Sequence, residues 1–469
     1  MAVNDSAGED GLNVGWFTLI IVTLALFIIS IDITFLNVAI TTLVHDLHTT
    51  IFTIQNIIVI YTLVLASLTL VSGELEKVLG RKKTFLIGSV IYGAGTLIAA
   101  LSINSNMLLL GWSILEGIGG ALMWVATTSI VIGSYTGKRR ATALGLVASI
   151  ASGAALVGPI IGGFLTTYYS WRYAFGLEFV IILVILMFSR AIPSFPKTMT
   201  WSKFNIIGAL NSGLGIFLVV YGLILLNNPN TEYLSPYVIL VGLILLIIFY
   251  FDQRSRLNKN KHALVDIRLF KVRAFMIGNI ARFLLGLVTG GIRFIIPVFV
   301  QTVLGYSPIT TGYTLVAMVI PMFLVTFTTG KVSVRFQPRY IISTGFILTL
   351  IGCIYLINVF RLHTSFIEIA SGLALLGLGA GIISPHLSNL AFLCITQDKQ
   401  PDASAIWNTN SNLNSSMGTA ILGLILLMGT FNVLSVEKLV SGIINAFYVI
   451  IIILFLGLII TQFVQPKKS

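Results

Sequence analysis

Long apolar stretches recur along this chain, each near the roughly 20 residues that carry a helix across a bilayer, with short polar connections between them. They fall near 16–42, 51–72, 84–102, 106–132, 141–166, 172–190, 204–226, 236–252, 274–303, 308–330, 340–360, 366–394, 403–431 and 442–464. This spacing predicts fourteen membrane-spanning helices. Composition excludes a large water-soluble core. Hydrophobic residues make up 57% of the chain and charged residues only 9%, against about 25% charged in soluble domains. Too few polar residues remain to cover so much apolar surface, so lipid must be its solvent.

The net charge of +12 would suit a nucleic-acid binder if it were gathered in one patch. Instead the basic residues occupy alternate connections: Lys77, Arg81, Lys82 and Lys83; Lys138, Arg139 and Arg140; and a run from Arg254 to Arg273. With the N-terminus inside, 23 of the 28 Lys and Arg face the cytoplasm. By the positive-inside rule, both termini are expected to be cytoplasmic and the protein to be a multi-pass protein of the cell (cytoplasmic) membrane. Residues Met1 to Asn13 carry Asp5, Glu9 and Asp10 and lack the basic start of a signal peptide. Cys353 and Cys394 both lie in apolar runs, which gives no disulfide framework.

A weak internal repeat is present. Gly73-Glu-Leu-Glu76-Lys-Val-Leu-Gly80-Arg81 follows the second apolar stretch, and Gly330-Lys-Val-Ser-Val-Arg335-Phe-Gln-Pro-Arg339 follows the tenth. Both are glycine-led basic turns at the same place in a six-helix unit, as in transporters built from structural repeats. The expected architecture is an all-α integral membrane protein: a six-helix bundle over 1–190, an inserted pair of helices over 191–260, and a second six-helix bundle over 261–469.

Ionisable residues at membrane depth cost about 2.5–3.5 kcal/mol each on insertion scales, so each calls for an explanation. They are Asp32 in the first helix, Glu116 in the fourth, Glu178 in the sixth, and Arg282 and Arg293 in the ninth. At about 1.5 Å per residue, Asp32 and Glu116 sit at similar depth and are expected to share a cavity, with Glu178 nearer the outer interface. A carboxyl in a low-dielectric cavity is costly to ionise. It can exchange a proton, and a cationic substrate would compete with that proton. Arg282 and Arg293 are eleven residues apart and face nearly the same side. Three roles stay open for them: pairing with the N-terminal carboxylates, pairing within their own half, or receiving an anionic or zwitterionic substrate. The thirteenth helix is unusually polar, with Asn410 and Asn414 expected to line the path or bond to neighbouring helices. His386 is a further candidate proton site, set against a structural hydrogen bond, and Trp112, Trp124 and Phe294 are candidate stacking surfaces.

Gly153-Ala-Ala-Leu-Val-Gly158-Pro159-Ile-Ile-Gly162-Gly163, continuing into Trp171-Arg172-Tyr173, resembles the antiporter motif of the major facilitator superfamily, specifically its fourteen-helix drug/proton antiporter branch. Asp32-Ile-Thr-Phe-Leu-Asn37 and Gly305-Tyr-Ser-Pro308 with Gly312 are similar to other motifs of that branch. Independently of the resemblance, Gly158 and Gly162 offer one small face for close helix approach, and Pro159 frees a backbone carbonyl and permits a bend. The resemblance implies the major facilitator fold and proton-coupled export (antiport) of small amphipathic, cationic compounds such as drugs. It gives Gly73, Glu76, Gly80, Arg81, Gly153, Gly158, Pro159, Gly162 and Gly163 a conformational role. Two departures stand out. Lys77 and Val78 replace the usual Asp and Arg after the second helix, with Glu74 and Glu76 nearby to supply acidity. Ser113 replaces the fourth-helix arginine that relatives use in proton coupling.

No phosphate-binding loop occurs, so the expected energy source is a proton gradient with no cofactor. No His, Cys or Glu set has metal-ligand spacing, and no nucleophile elbow is present, which argues against an enzyme. The expected partners are a small-molecule substrate, protons and the lipid bilayer, with the chain acting as a monomer. The alternatives on the same fold are a dedicated exporter of a metabolite, peptide or lipid, and a membrane sensor that does not transport.

Overall fold

The computed structural model describes residues 15–226, 230–332, 337–396, 399–427 and 436–463. The basic turn of the second repeat at Arg335, and Lys467 and Lys468 of the tail, lie outside the described residues.

The described residues form helices and no strands. In chain order these are α1 (Trp16–Asp46), α2 (Ile51–Leu79), α3 (Arg81–Ala100), α4 (Ser105–Ser134), α5 (Gly137–Tyr168), α6 (Arg172–Met187) and α7 (Ile206–Leu225). There follow α8 (Ser235–Asn258), α9 (Arg273–Thr302), α10 (Pro308–Val332), α11 (Pro338–Val359), α12 (Phe366–Phe392), α13 (Gln400–Leu427) and α14 (Val436–Gln462). Twelve stretches among the described residues are long and apolar enough to cross a membrane. The helices outside that set are α6, of 16 residues, and α13, whose first half is rich in Asn and Ser.

Local sequence sets the boundaries. Thr50 caps α2 by accepting from Thr53 N at 3.2 Å, and Asn205 caps α7 by accepting from Gly208 N at 2.9 Å. Ser365 and Glu368 form a capping box on α12. The α2–α3 turn needs Gly80, whose φ is +93°, a region that L side chains avoid.

In the first half α1 packs on α5, α3 on α4 and α6, and α2 on α4. In the second half α9 packs on α13 and α14, and α12 on α10 and α11. Helix α7 lies against α8, α2 and α13. The halves meet through α2 with α13 and α5 with α10.

The basic connections gather at one end of the bundle. Arg139 lies over Trp16 at the start of α1, 5.9 Å from the ring centre, and Lys82 donates to Ile192 O at 2.7 Å. Glu74 pairs with Lys77 and with His262 of the α8–α9 connection, the latter at 2.8 Å. Arg81 stands 3.6 Å from Glu76, and Asp266 is bridged by Arg268 and Lys399. At this end a cavity of about 770 Å³ opens between the halves, lined by Gly73, Glu76, Arg81, Arg140, Asp402 and Asn408 among others. At the opposite end the halves are closed on one another. Gln301 Nε2 donates to Val38 O at 2.7 Å and Thr41 Oγ1 donates to Gln301 Oε1 at 2.7 Å, while Ile309 N donates to Thr167 Oγ1 at 3.0 Å.

Candidate functional site

Helix packing in the first half presses three carboxyl groups into one dry place. Gly88 and Gly95 of α3 meet Gly119 and Gly111 of α4 so closely that an added Cβ on Gly95 would stand 2.6 Å from Gly111 O and 2.7 Å from Glu116 Cγ. This approach turns Tyr92 and Glu116 toward each other's helix. Residues Leu109–Glu116 of α4 are wound as a π-helix, a local widening often found where a helix presents a functional side chain.

Asp32 from α1, Glu116 from α4 and Glu178 from α6 each offer a carboxylate oxygen within 4.8 Å of the other two, and all three are buried. Trp112 Nε1 donates to Asp32 Oδ1 at 2.6 Å. The Tyr92 hydroxyl lies 3.1 Å from Glu178 Oε2 and 3.4 Å from Asp32 Oδ2. Tyr61 stacks on Trp112, ring centres 4.8 Å apart, and closes the cluster on the side of α2. Among the described residues no donor reaches either Glu116 oxygen or Glu178 Oε1 with hydrogen-bond geometry, and no ion pair from Lys, Arg or His reaches any of the three. Three oxygens so placed can share a proton, and can also ligate a hard cation. Counting depth along the helices pairs Asp32 with Glu116, but no spacing along the chain announces the addition of Glu178.

One sequence expectation changes here, and one set of alternatives narrows. Glu178, expected nearer the outer interface, is in the cluster with Asp32 and Glu116, because α6 packs along α3 and projects Glu178 to the Tyr92 hydroxyl. Of the three roles left open for Arg282 and Arg293, neither ion pair is formed in this conformation: among the described residues no carboxylate pairs with them. Arg282 donates to Ser411 Oγ at 2.9 Å and lies over the Trp407 ring at 4.3 Å. Asn410 donates to Asn279 O at 2.9 Å and Asn414 to Arg282 O at 3.3 Å, so both join α13 to α9. His386 Nδ1 is 2.8 Å from Ile382 O one turn back on its own helix. Ser113, buried, donates to Ile57 O at 2.7 Å and joins α4 to α2.

The glycines of α5 divide into two groups. A Cβ on Gly158 would meet Thr34 Oγ1 at 2.1 Å, one on Gly162 would meet Phe35 O at 2.8 Å, and one on Gly163 would meet Pro308 O at 2.7 Å. Pro159 O is met in turn by Gly312 of α10, at 2.4 Å from an added Cβ. Gly153 has nothing within 4 Å. Tyr92, Tyr61 and the donor role of Trp112 escaped the sequence reading. Their one advance signal is that each is an aromatic with a polar tip inside an apolar run, which usually finds a partner when buried.

A membrane-embedded helical bundle with buried carboxyl groups in one half, and polar side chains joining helices in the other, defines a polytopic transporter. The Major Facilitator Superfamily model matches residues 22–419 and, a second time, 278–469, and the chain belongs to that superfamily. It is similar to the lincomycin resistance protein LmrB of Listeria monocytogenes, 25% identical over 80% of this chain and 81% of that one. It is also similar to the multidrug efflux pump LfrA of Mycolicibacterium smegmatis, 27% identical over 74% of this chain and 68% of that one. The methylenomycin A resistance protein of Bacillus subtilis is 26% identical over 74% of each. A crystal structure of the peptide transporter POT in complex with sulfate superposes with a TM-score of 0.72 at 15% identity over 96% of each chain, a likeness of fold alone.

Proposed function

We propose that the protein exports small amphipathic compounds carrying a cationic group, in exchange for protons. The observation that carries this reading is the convergence of Asp32, Glu116 and Glu178 within 4.8 Å in a buried site without a cationic partner. Like charges at that spacing in a low-dielectric medium repel strongly, so the set holds protons when no cation is present. A cationic group arriving nearby removes the repulsion and releases protons, and reprotonation expels the cation. Competition of this kind is sufficient for antiport. The drug-resistance names of the similar proteins support the export of such compounds.

The reading takes both termini as cytoplasmic and the chain as spanning the bilayer fourteen times. The short α6 and the polar α13 then complete the two six-helix halves, and α7 with α8 is the pair added between them. Support comes from the packing of α6 on α3 and of α13 on α9 and α2. In that orientation the 770 Å³ cavity faces the cytoplasm, and the Glu74–His262, Glu76–Arg81 and Asp266–Lys399 pairs at its rim hold the connections on that side. The close contacts of Gly163 with Pro308 and of Gly312 with Pro159 make α5 and α10 the surface on which the halves rock, while Gly158 and Gly162 seat α5 on α1.

The test places purified protein in liposomes with a pH-sensitive dye inside and an imposed proton gradient. Addition of several unrelated lipophilic cations is expected to trigger proton movement. Silence toward all of them, with protein correctly inserted, refutes the reading.

A further inference from the structure

We infer that α9 carries an anion-binding station at Arg293, so that the exported molecule bears an anionic group as well as a cationic one. The inference rests on the export reading and specifies its substrate as an ampholyte: an amine joined to a carboxylate, phosphate or similar group.

Arg293 is half-buried within the apolar length of α9, where a guanidinium is costly and calls for a partner. Among the described residues no hydrogen bond, ion pair or ring contact satisfies it. Its direction follows from the helix itself. Met276 and Ile280 are each 39% exposed and share one face of α9. At about 100° per residue, Arg282 and Arg293 lie about 200° and 220° round from Ile280, on the opposite face. Arg282 bonds to Ser411 of α13 near the basic end of α9. At the level of Arg293 it is Gly291, about 200° away round the helix, that meets Leu422 of α13, so Arg293 points off the α9–α13 seam. The half-buried positions Arg282, Gly286, Thr289 and Arg293 repeat along that opposite face at helical spacing.

Depth places Arg293 opposite the carboxylate cluster. Helices α1 and α9 are pinned together where Gln301 bonds to Val38 and Thr41. Counting back, Asp32 lies six residues below Val38 and Arg293 eight below Gln301, about 9 Å and 12 Å along helices. An unpaired cation in one half and an uncompensated set of carboxyls in the other therefore stand at nearly the same level, on either side of the interface between halves. A molecule with an amine and an anionic group is complementary to both at once. A guanidinium binds carboxylate or phosphate through charge-assisted, often bidentate hydrogen bonds. Arg282, with its Nε unpartnered, lies about 16 Å along the same face toward the basic end, a second cationic step on the way in.

The test is equilibrium binding to the full-length purified protein, read by tryptophan quenching without any gradient, using three probes on one scaffold: naphthylethylamine, naphthylalanine and naphthylpropionate. The wild type is expected to bind naphthylalanine about tenfold or more tightly than naphthylethylamine, the effect of one charge-assisted hydrogen bond. R293Q should erase that difference while leaving naphthylethylamine unchanged, and R293K should restore part of it. No preference for naphthylalanine in the wild type overturns the inference. So does an R293Q variant that keeps the preference, or one that loses affinity for the amine alone to the same extent. Proton movement in liposomes is a separate readout: its absence beside an intact binding preference refutes proton exchange and leaves the anion station standing.

Discussion

The indole N–H of Trp112 lies 2.6 Å from Asp32 Oδ1, with the ring held flat against Tyr61 at 4.8 Å. Trp112 is therefore both a wall of the cluster and the donor that fixes Asp32. Replacing it with Phe keeps the stack and removes the donor. W112F is expected to lose about 1–3 kcal/mol, the usual cost of leaving a buried acceptor unsatisfied, seen as a lower thermal midpoint in detergent with transport weakened. An unchanged midpoint would show that Asp32 is held by other means.

Asp32, Glu116 and Glu178 come from three helices and meet in one buried carboxyl cluster. Groups that act as a unit lose function together, so their effects should not add. D32N, E116Q and E178Q are each expected to abolish uphill transport in the liposome assay with normal expression. The double variant D32N with E178Q should be no worse than either single one. Full transport in any of the three singles removes that residue from the set.

Twelve of the fourteen expected spans, the basic connections and the small face at Gly158, Gly162 and Gly163 were legible in the sequence because each depends on local composition or spacing. The boundaries of α5 and α9 follow from the apolar runs, whereas α2 stays helical through Gly73 to Leu79, past its apolar stretch. The close approach of Gly158, Gly162 and Gly163 follows from small residues one turn apart. The depth of Glu178 was not legible, because counting from a span's end assumes upright helices and cannot say which neighbours meet. Tyr92 reaches Glu178 because α6 packs closely along α3, where Gly93 lets Ile182 approach, and the π-helical turn at Leu109–Glu116 has no sequence signature. The partners of Arg282 were missed for the same reason: Trp407 and Ser411 are more than a hundred residues away in the chain.

Asp266 sits in the α8–α9 connection, bonded to Arg268 at 2.8 Å and reached by Lys399 at 3.4 Å. Burial pushes its carboxyl up, but the hydrogen bonds and charge of Arg268, with Lys399, more than reverse this and hold it below the ordinary carboxylate range. A carboxyl lowered in the folded state stabilises above its unfolded value, and that contribution is lost as pH falls through the folded one. The link between the α8–α9 and α12–α13 connections should therefore persist from pH 8 down to about 5, since carboxylates titrate near 4. Hydrogen exchange across residues 264–269 is expected to stay slow over that window in the wild type and to be fast throughout it in D266N. Loosening of the wild type between pH 7 and 6 would assign the link to another group.

The contrast between Gly153 and Gly312 gives the sharpest test of how the halves fit. An added methyl on Gly153 meets nothing within 4 Å, and Ala is favoured over Gly in a helix interior by roughly 0.5–1 kcal/mol, so G153A should be neutral or slightly stabilising and should transport normally. On Gly312 the same methyl would stand 2.4 Å from Pro159 O, a backbone atom that cannot rotate away. α10 and α5 would have to separate at the end where Thr167 and Gln301 hold the halves closed. Overpacking of this kind costs about 1–3 kcal/mol. Because the strain falls on the contact between halves, G312A should lower the transport rate several-fold with a smaller effect on the thermal midpoint. Equal behaviour of G153A and G312A in transport would mean that the α5–α10 contact is not formed during the cycle, and the rocking surface would have to be sought elsewhere.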